Sequence, residues 1–205
     1  MRKILIDGGG YTGDSVAMFY ANDVFLPRKD QPEYAIYVFE PNATDIPGAT
    51  VIPKAMWIAD GEVDFRNNDA CDYTFTIAQF AMRNHDPVRK VPSVRFTSWL
   101  RTVASPEDYI VLKLDIEGAE YAVLRDLIGE RMSHWINELY VEYHHTHDGF
   151  CSNGHNLAFD FDSREVQAVL DWFFPTVPGS TISTSGRECR IFDTFHFRLK
   201  TNRRS

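Results

Sequence analysis

A chain of 205 residues is one domain, or a domain with a small appendage, and a fold of this size buries roughly 70% of the surface its unfolded form exposes. With 44% hydrophobic and 24% charged residues it is not a disordered chain, and no apolar run approaches the ~18–20 residues of a membrane span. A net charge of −8 lacks the basic footprint of a nucleic-acid binder, and the one basic cluster, Arg198, Lys200, Arg203 and Arg204, reads as a solvated end.

The first residues, Met1-Arg2-Lys3-Ile4-Leu5-Ile6-Asp7, carry too short an apolar run for a signal peptide. Residues 3–7 predict a buried strand that stops at an acid. A glycine loop follows, Asp7-Gly8-Gly9-Gly10-Tyr11-Thr12-Gly13, and then a helix over Asp14–Ala21 with Val16, Phe19 and Tyr20 at helical spacing. Residues 34–40 predict a second buried strand, again ending at an acid. Residues 50–58 predict a third, weakened by Pro53, which suits an edge or a strand start. The stretch 66–93, rich in aromatics and mixed charge, is long for a loop and is expected to be a helical insert or an active-site cover. Residues 109–115 predict a fourth strand, and it too ends at an acid. The helix after it aligns Val123, Leu124, Leu127 and Ile128, with Gly129 as its stop signal.

Residues 138–144 alternate, with Leu139, Val141 and Tyr143 on one face and Glu138, Tyr140, Glu142 and His144 on the other. Asp162 and Glu165 open a further helix whose apolar face is Val166, Val169, Leu170, Phe173 and Phe174, ended by Pro175. Residues 181–183 and 189–200 read as a hairpin. Strands alternating with helices predict an α/β fold with a parallel sheet and an antiparallel strand at one edge. Cys71, Cys151 and Cys189 are odd in number and widely spaced. They form neither a disulfide framework nor a zinc pattern, so a reducing, cytoplasmic setting is expected.

Three predicted strands end in carboxylates, Asp7, Glu40 and Asp115. In an open parallel sheet the ligand crevice lies at that end of the strands. Gly8-x-Gly10-x-x-Gly13 fits the spacing of a dinucleotide-binding loop, so a nicotinamide-dependent dehydrogenase is one reading. Asp7 argues against it, because an acid at the strand tip repels a pyrophosphate. S-adenosylmethionine carries an ammonium and a sulfonium and no phosphate, and suits that acid. Glu40 suits a ribose diol, and stands 27 residues beyond Gly13, further than the ~20 of the dinucleotide fold. A non-catalytic protein on the same fold, acting as a partner or scaffold, is a reading from a different class.

Five segments in chain order carry a resemblance. They are the loop Asp7-Gly8-Gly9-Gly10-Tyr11-Thr12-Gly13; Tyr37-Val38-Phe39-Glu40-Pro41-Asn42; Ala59-Asp60-Gly61-Glu62-Val63-Asp64-Phe65; Lys113-Leu114-Asp115-Ile116-Glu117-Gly118-Ala119-Glu120-Tyr121-Ala122-Val123-Leu124; and Val141-Glu142-Tyr143-His144. Together they resemble the FkbM-type family of S-adenosylmethionine-dependent methyltransferases. The fourth is similar to that family's K-x-D-x-E-G-x-E-x-x-V-L signature and is the most specific. The likeness covers about residues 3–145. Two departures stand out. Asn is common in the family where this chain has Tyr11, and family members usually carry sequence before the first strand, so an N-terminal substrate element is expected to be missing or to be supplied by another chain.

The resemblance implies a Rossmann-like class I methyltransferase in a single domain over residues 1–205: a mainly parallel seven-stranded sheet flanked by helices, with a C-terminal antiparallel strand. It implies transfer of a methyl group from S-adenosylmethionine to a hydroxyl of a sugar or small metabolite. No nucleic acid or membrane partner is expected, and a homo-oligomer is allowed. Asp7, Gly8, Gly9, Gly10, Tyr11 and Gly13 would hold the methionine part of the cofactor, Glu40 the ribose, and Asp60 the adenine amine. Asp60-Gly61 reads equally well as a surface turn. Catalysis would rest on Asp115, Glu142 and His144, with His144 as base because an imidazole pKa of roughly 6.5 suits proton removal near neutrality. Glu117 and Glu120 open a helix, where carboxylates also satisfy the macrodipole. Lys113, inside an apolar strand, reaches toward Asp115 or Glu142 as a buried pair and is assigned no chemistry. The run His144-His145-Thr146-His147-Asp148 offers a rival: a divalent ion on Asp115, Glu142 and His144. A cofactor site without metal is the favoured expectation.

Overall fold

Residues 4–6, Ile-Leu-Ile, have no polar side chain to turn toward water on either face, which is the signature of a strand buried on both sides. The computed structural model of the chain describes residues 1–21, 28–42, 45–68, 74–77, 89–116 and 118–141. In it, this run is β1 (Lys3–Gly8), the centre of a five-stranded sheet. Its neighbours are β2 (Tyr34–Phe39), with β3 (Thr50–Ile52) beyond, and on the other side β8 (Tyr109–Leu114) and β9 (Ile136–Val141). Every pairing in this sheet is parallel. The order β3-β2-β1-β8-β9 runs outward from β1 one way, then returns and runs outward the other way. That reversal makes the gap between the ends of β1 and β8 the ligand crevice of an open α/β sheet.

Alternation along each strand feeds two cores. One face carries Ile4, Ile6, Phe39, Leu112, Leu114, Leu139 and Val141, all buried together with residues of α2 (Phe96–Val103) and α3 (Glu120–Gly129). The other carries Leu5, Ile36, Val38, Val111 and Tyr140 under Val16 and Phe19 of α1 (Asp14–Ala21). Each fully buried Leu, Ile or Phe contributes roughly 1.5–3 kcal/mol. Helix α2 has no counterpart in the sequence reading, although Phe96 and Leu100, the two apolar residues it buries, stand at the i, i+4 spacing of a helix face.

The third predicted strand is corrected. Residues 50–58 are two strands, β3 and then β4 (Ala55–Trp57), which belong to different sheets. Pro53 lacks the N–H a continuing ladder needs. The Ile52 carbonyl accepts from Glu40 N at 3.2 Å and from Lys54 N at 2.7 Å, and the chain leaves the first sheet there. The second sheet has the order β4-β7-β5-β6, with β5 (Gly61–Asn68), β6 (Thr74–Ile77) and β7 (Arg89–Arg95). Only the β4–β7 pair is parallel. The described parts of 66–93 are therefore strand, not helix. Pro92 concealed β7 in the sequence. It is tolerated because β4 pairs only with Ser93–Arg95, leaving the strand an open edge at Pro92 on that side.

Helix α3 ends as a Schellman motif: Arg131 N donates to the Ile128 carbonyl at 2.9 Å and Met132 N to that of Leu127 at 2.8 Å. The left-handed position is Arg131, at φ 57°, rather than the expected Gly129, which is the last helical residue. The α/β class and the parallel central sheet stand as expected. The predicted helix over 162–174, the hairpin over 181–200 and residues 142–144 lie outside the described residues.

Candidate functional site

At the crevice the chain turns tightly against the neighbouring strands. Gly9 has φ 81°, and a Cβ there would lie 1.8 Å from the Asp115 carbonyl oxygen. A Cβ on Gly10 would lie 2.0 Å from Val38 Cγ1. The glycines are thus required first by the protein's own chain, which closes over the ends of β2 and β8. The amides follow suit. Gly9 N and Gly10 N donate to the Phe39 carbonyl at 3.0 and 3.4 Å, and Gly13 N to the Gly10 carbonyl at 2.7 Å. Tyr11 N donates to Glu40 Oε2 at 3.1 Å. A pyrophosphate cradle needs backbone N–H groups that point outward. Here the N–H groups of Gly9, Gly10, Tyr11 and Gly13 are consumed within the fold.

What the crevice offers instead is negative charge. Asp7, the next-to-last residue of β1, is fully excluded from solvent. Neither of its carboxylate oxygens accepts a hydrogen bond of normal geometry among the described residues. Burial pushes this carboxyl above the usual range; the Lys113 ammonium opposes the shift, and Asp115 adds to it. Glu40, at the tip of β2, is buried and accepts from two backbone amides, Tyr11 N on Oε2 and Asn42 N at 2.9 Å on Oε1. Burial also raises its pKa, and those two amides hold it back. Each Glu40 oxygen retains a second lone pair.

Lys113, in β8, is the residue that sequence reasoning left without a role. Its Nζ donates to the Gly9 carbonyl and to Asp115 Oδ2, both at 3.0 Å, and lies 3.2 Å from Asp7 Oδ1. Desolvation would strip its proton, but Asp115 and Asp7 overcome that and hold the ammonium well above its ordinary pKa. The signal was available: one lysine in the run Tyr-Ile-Val-Leu-Lys-Leu, two residues before an acid.

Asp115 follows β8 directly and is tied to β1 by its own N–H, which donates to the Gly8 carbonyl at 3.0 Å. Glu120 is completely buried and holds the turn after Asp115: Oε1 accepts from Ile116 N at 2.7 Å and Oε2 from Gly118 N at 2.9 Å. It thus fastens the loop rather than facing a ligand. Gly118 sits at φ 101° to make that turn. Asp60 lies in the bend before β5, where its Oδ1 accepts from Arg95 N at 3.0 Å, so it pins the second sheet's turn.

The structure therefore brings together Asp7, the glycine loop, Glu40, Lys113 and Asp115. Glu117, Glu142 and His144 lie outside the described residues. Among the described residues no group of three His, Cys, Asp or Glu side chains converges to hold a metal, and two of the three candidate ligands are not among them. No described helix is long and apolar enough to cross a membrane. Compared with known proteins, residues 9–174 match the family model described as the methyltransferase FkbM domain. Comparison with curated proteins and with solved structures gives no match.

Proposed function

Because the chain belongs to the methyltransferase FkbM family, we propose that it transfers the methyl group of S-adenosylmethionine to a hydroxyl oxygen of a sugar or small metabolite, as a single domain over residues 1–205. The observation that carries the choice of cofactor is Asp7: a fully buried carboxylate with unfilled acceptors, in a loop that keeps its own amides. Lys113 Nζ stands 3.2 Å from Oδ1 without completing a hydrogen bond of normal geometry; buried acceptors so placed call for a further donor, which the ammonium of an amino-acid cofactor supplies. The carboxylates of Asp7, Glu40 and Asp115 around this loop disfavour a pyrophosphate, and with it the dehydrogenase reading.

S-adenosylmethionine, when bound, provides an electrophilic methyl carbon on a sulfonium. The residues of this chain bind and orient around it. Asp7 receives the ammonium, and Glu40, already fixed by Tyr11 N and Asn42 N, accepts the ribose hydroxyls on its remaining lone pairs. Asp60 is assigned to the adenine side. Asp115 orients the acceptor hydroxyl at the tip of β8. In the sequence, Glu142 and His144 extend the alternation of Glu138 and Tyr140, and on that ground His144 is assigned as the base that takes the acceptor's proton, with Glu142 assigned beside it. No metal is assigned a part, and stretch 66–93 is assigned to cover the site.

Calorimetry with S-adenosylhomocysteine and NAD in parallel tests the cofactor. We expect binding of the first and not of the second, with Asp7→Asn weakening it about 10–100-fold through loss of a charge-assisted contact. Binding of NAD, or no effect of Asp7→Asn, overturns the reading. Labelled-methyl transfer to a panel of sugars and small alcohols, with and without a chelator, tests the chemistry: label recovered on nitrogen removes the hydroxyl acceptor. Chelator-sensitive activity replaces His144 as base by an ion.

A further inference from the structure

Among the described residues of the site, one ammonium group is held by three acceptors. Lys113 Nζ reaches the Gly9 carbonyl in the loop and Asp115 Oδ2 beyond β8, both at 3.0 Å, and Asp7 Oδ1 in β1 at 3.2 Å. Two chain segments, residues 7–9 and 113–115, meet on one ammonium group at the ends of the two strands that flank the crevice. We propose that Lys113 is the positioning residue of this site: its ammonium is the fixed counter-charge of Asp7 and the pin of the Gly9 carbonyl, and it takes no part in proton transfer.

The inference rests on the reading of this loop as an S-adenosylmethionine site. Its physical basis is that a carboxylate without solvent is costly to ionise. Asp7 completes no hydrogen bond of normal geometry with a described residue, and the Lys113 ammonium 3.2 Å from its Oδ1, helped by the Ser15 hydroxyl, favours its ionisation. The groups that act on Asp7 are Lys113 and Asp115 from β8, Glu40 from β2 and the Ser15 hydroxyl from α1. Two of these are acids that work against ionisation. Without Lys113, Asp7 would hold a proton to higher pH and meet a cofactor ammonium as a neutral acid. A lysine held between two carboxylates also keeps its own proton, which disqualifies it as a base.

The test uses the full chain and S-adenosylhomocysteine as probe. In Lys113→Met, affinity for the probe should fall, and fall most at the acid end of the pH range. Raising the pH should recover it, because the pH of half-maximal binding moves up by about one unit, a tenfold gain in proton affinity. Lys113→Arg, which keeps a cation, should retain the wild-type pH profile. It should also keep turnover within about tenfold, whereas replacing a true general base costs roughly 10²–10⁴-fold. If Lys113→Met does not fold, the double variant Asp7→Asn/Lys113→Met leaves no buried charge unpaired on Asp7. It should bind more weakly than Asp7→Asn alone, by the lost pin on the Gly9 carbonyl, and its binding should not depend on this carboxyl. An unchanged affinity and pH profile in Lys113→Met overturns the inference, as does normal binding with abolished turnover in Lys113→Arg. Failure of the wild type to bind the probe would instead overturn the cofactor reading.

Discussion

Tyr11 holds a left-handed backbone at φ 42° while its side chain is 47% exposed. For an L-residue with a large side chain that conformation costs about 1–2 kcal/mol, and Asn tolerates it far better. The turn is imposed from outside the residue: Gly9 and Gly10 bond to β2 on one side, Gly13 bonds back to Gly10, and Glu40 captures the Tyr11 amide itself. Tyr11→Asn should therefore stabilise the protein by about 0.5–1 kcal/mol, read as a higher midpoint in urea. An unchanged or lower midpoint would show that the tyrosine side chain contributes more than its backbone costs. The general point at this scale is that residues of the loop are chosen by the neighbouring strands as much as by any ligand.

At the scale of elements, a strand tip becomes a site only if the segment after it is fixed. Between β8 and α3 that task falls to Glu120, whose two oxygens each take one backbone amide of the turn. Glu120→Ala leaves those amides without acceptors and should cost about 2–4 kcal/mol. Glu120→Gln is expected to recover less than its shape suggests, because its amide nitrogen would face a backbone N–H, donor against donor. Chemical denaturation of both variants measures this; a Gln variant as stable as the wild type would mean the turn holds itself. Lys113 performs the same service for the glycine loop from the opposite direction. The two acidic strand tips, Asp7 and Glu40, differ in kind: Glu40 is held by backbone donors, and Asp7 chiefly by the charge of Lys113.

At the scale of the molecule, a second buried polar cluster stands where the sequence showed only alternation. Glu138 of β9 accepts from Arg28 at 2.7 Å, Tyr109 at 2.6 Å and Tyr140 at 2.8 Å. Arg28 also donates to Tyr34 at 2.8 Å and lies over the rings of Phe19 and Tyr34. Burial beside that carboxylate pushes the Tyr109 phenol up, so it remains a donor. One cluster thus ties β2, β8 and β9 to the chain after α1. Where the β8–β9 register shifts between Ile110 and Val111, Asn137 Oδ1 accepts the Ile110 N–H at 2.8 Å, so the irregularity leaves no amide orphaned. Arg28→Met removes one partner of a buried ion pair and should destabilise by about 3–5 kcal/mol, with little sensitivity to salt because the pair is shielded from solvent. A loss below about 1 kcal/mol, the range of exposed pairs, would refute the buried role.

The class of fold and most of the site's parts are legible in the sequence. Apolar runs ending in Asp7, Glu40 and Asp115, each followed by a loop, are local patterns, and local patterns survive without tertiary knowledge. The family is legible there too, through segments that are contiguous in the chain. Only the tertiary structure decided how those parts are used. Pro53 was visible, but that it sends the chain from one sheet into another depends on partners 40 residues away in β7. Lys113 was visible, but its role depends on Gly9 and Asp7, which lie 104 and 106 positions earlier and are brought to it by the β1–β8 pairing. Asp7 and Glu40 looked alike because both are acids at strand tips. They differ because hydrogen-bond donors and exclusion of water are set by what packs around a residue, and that is a property of the assembled fold.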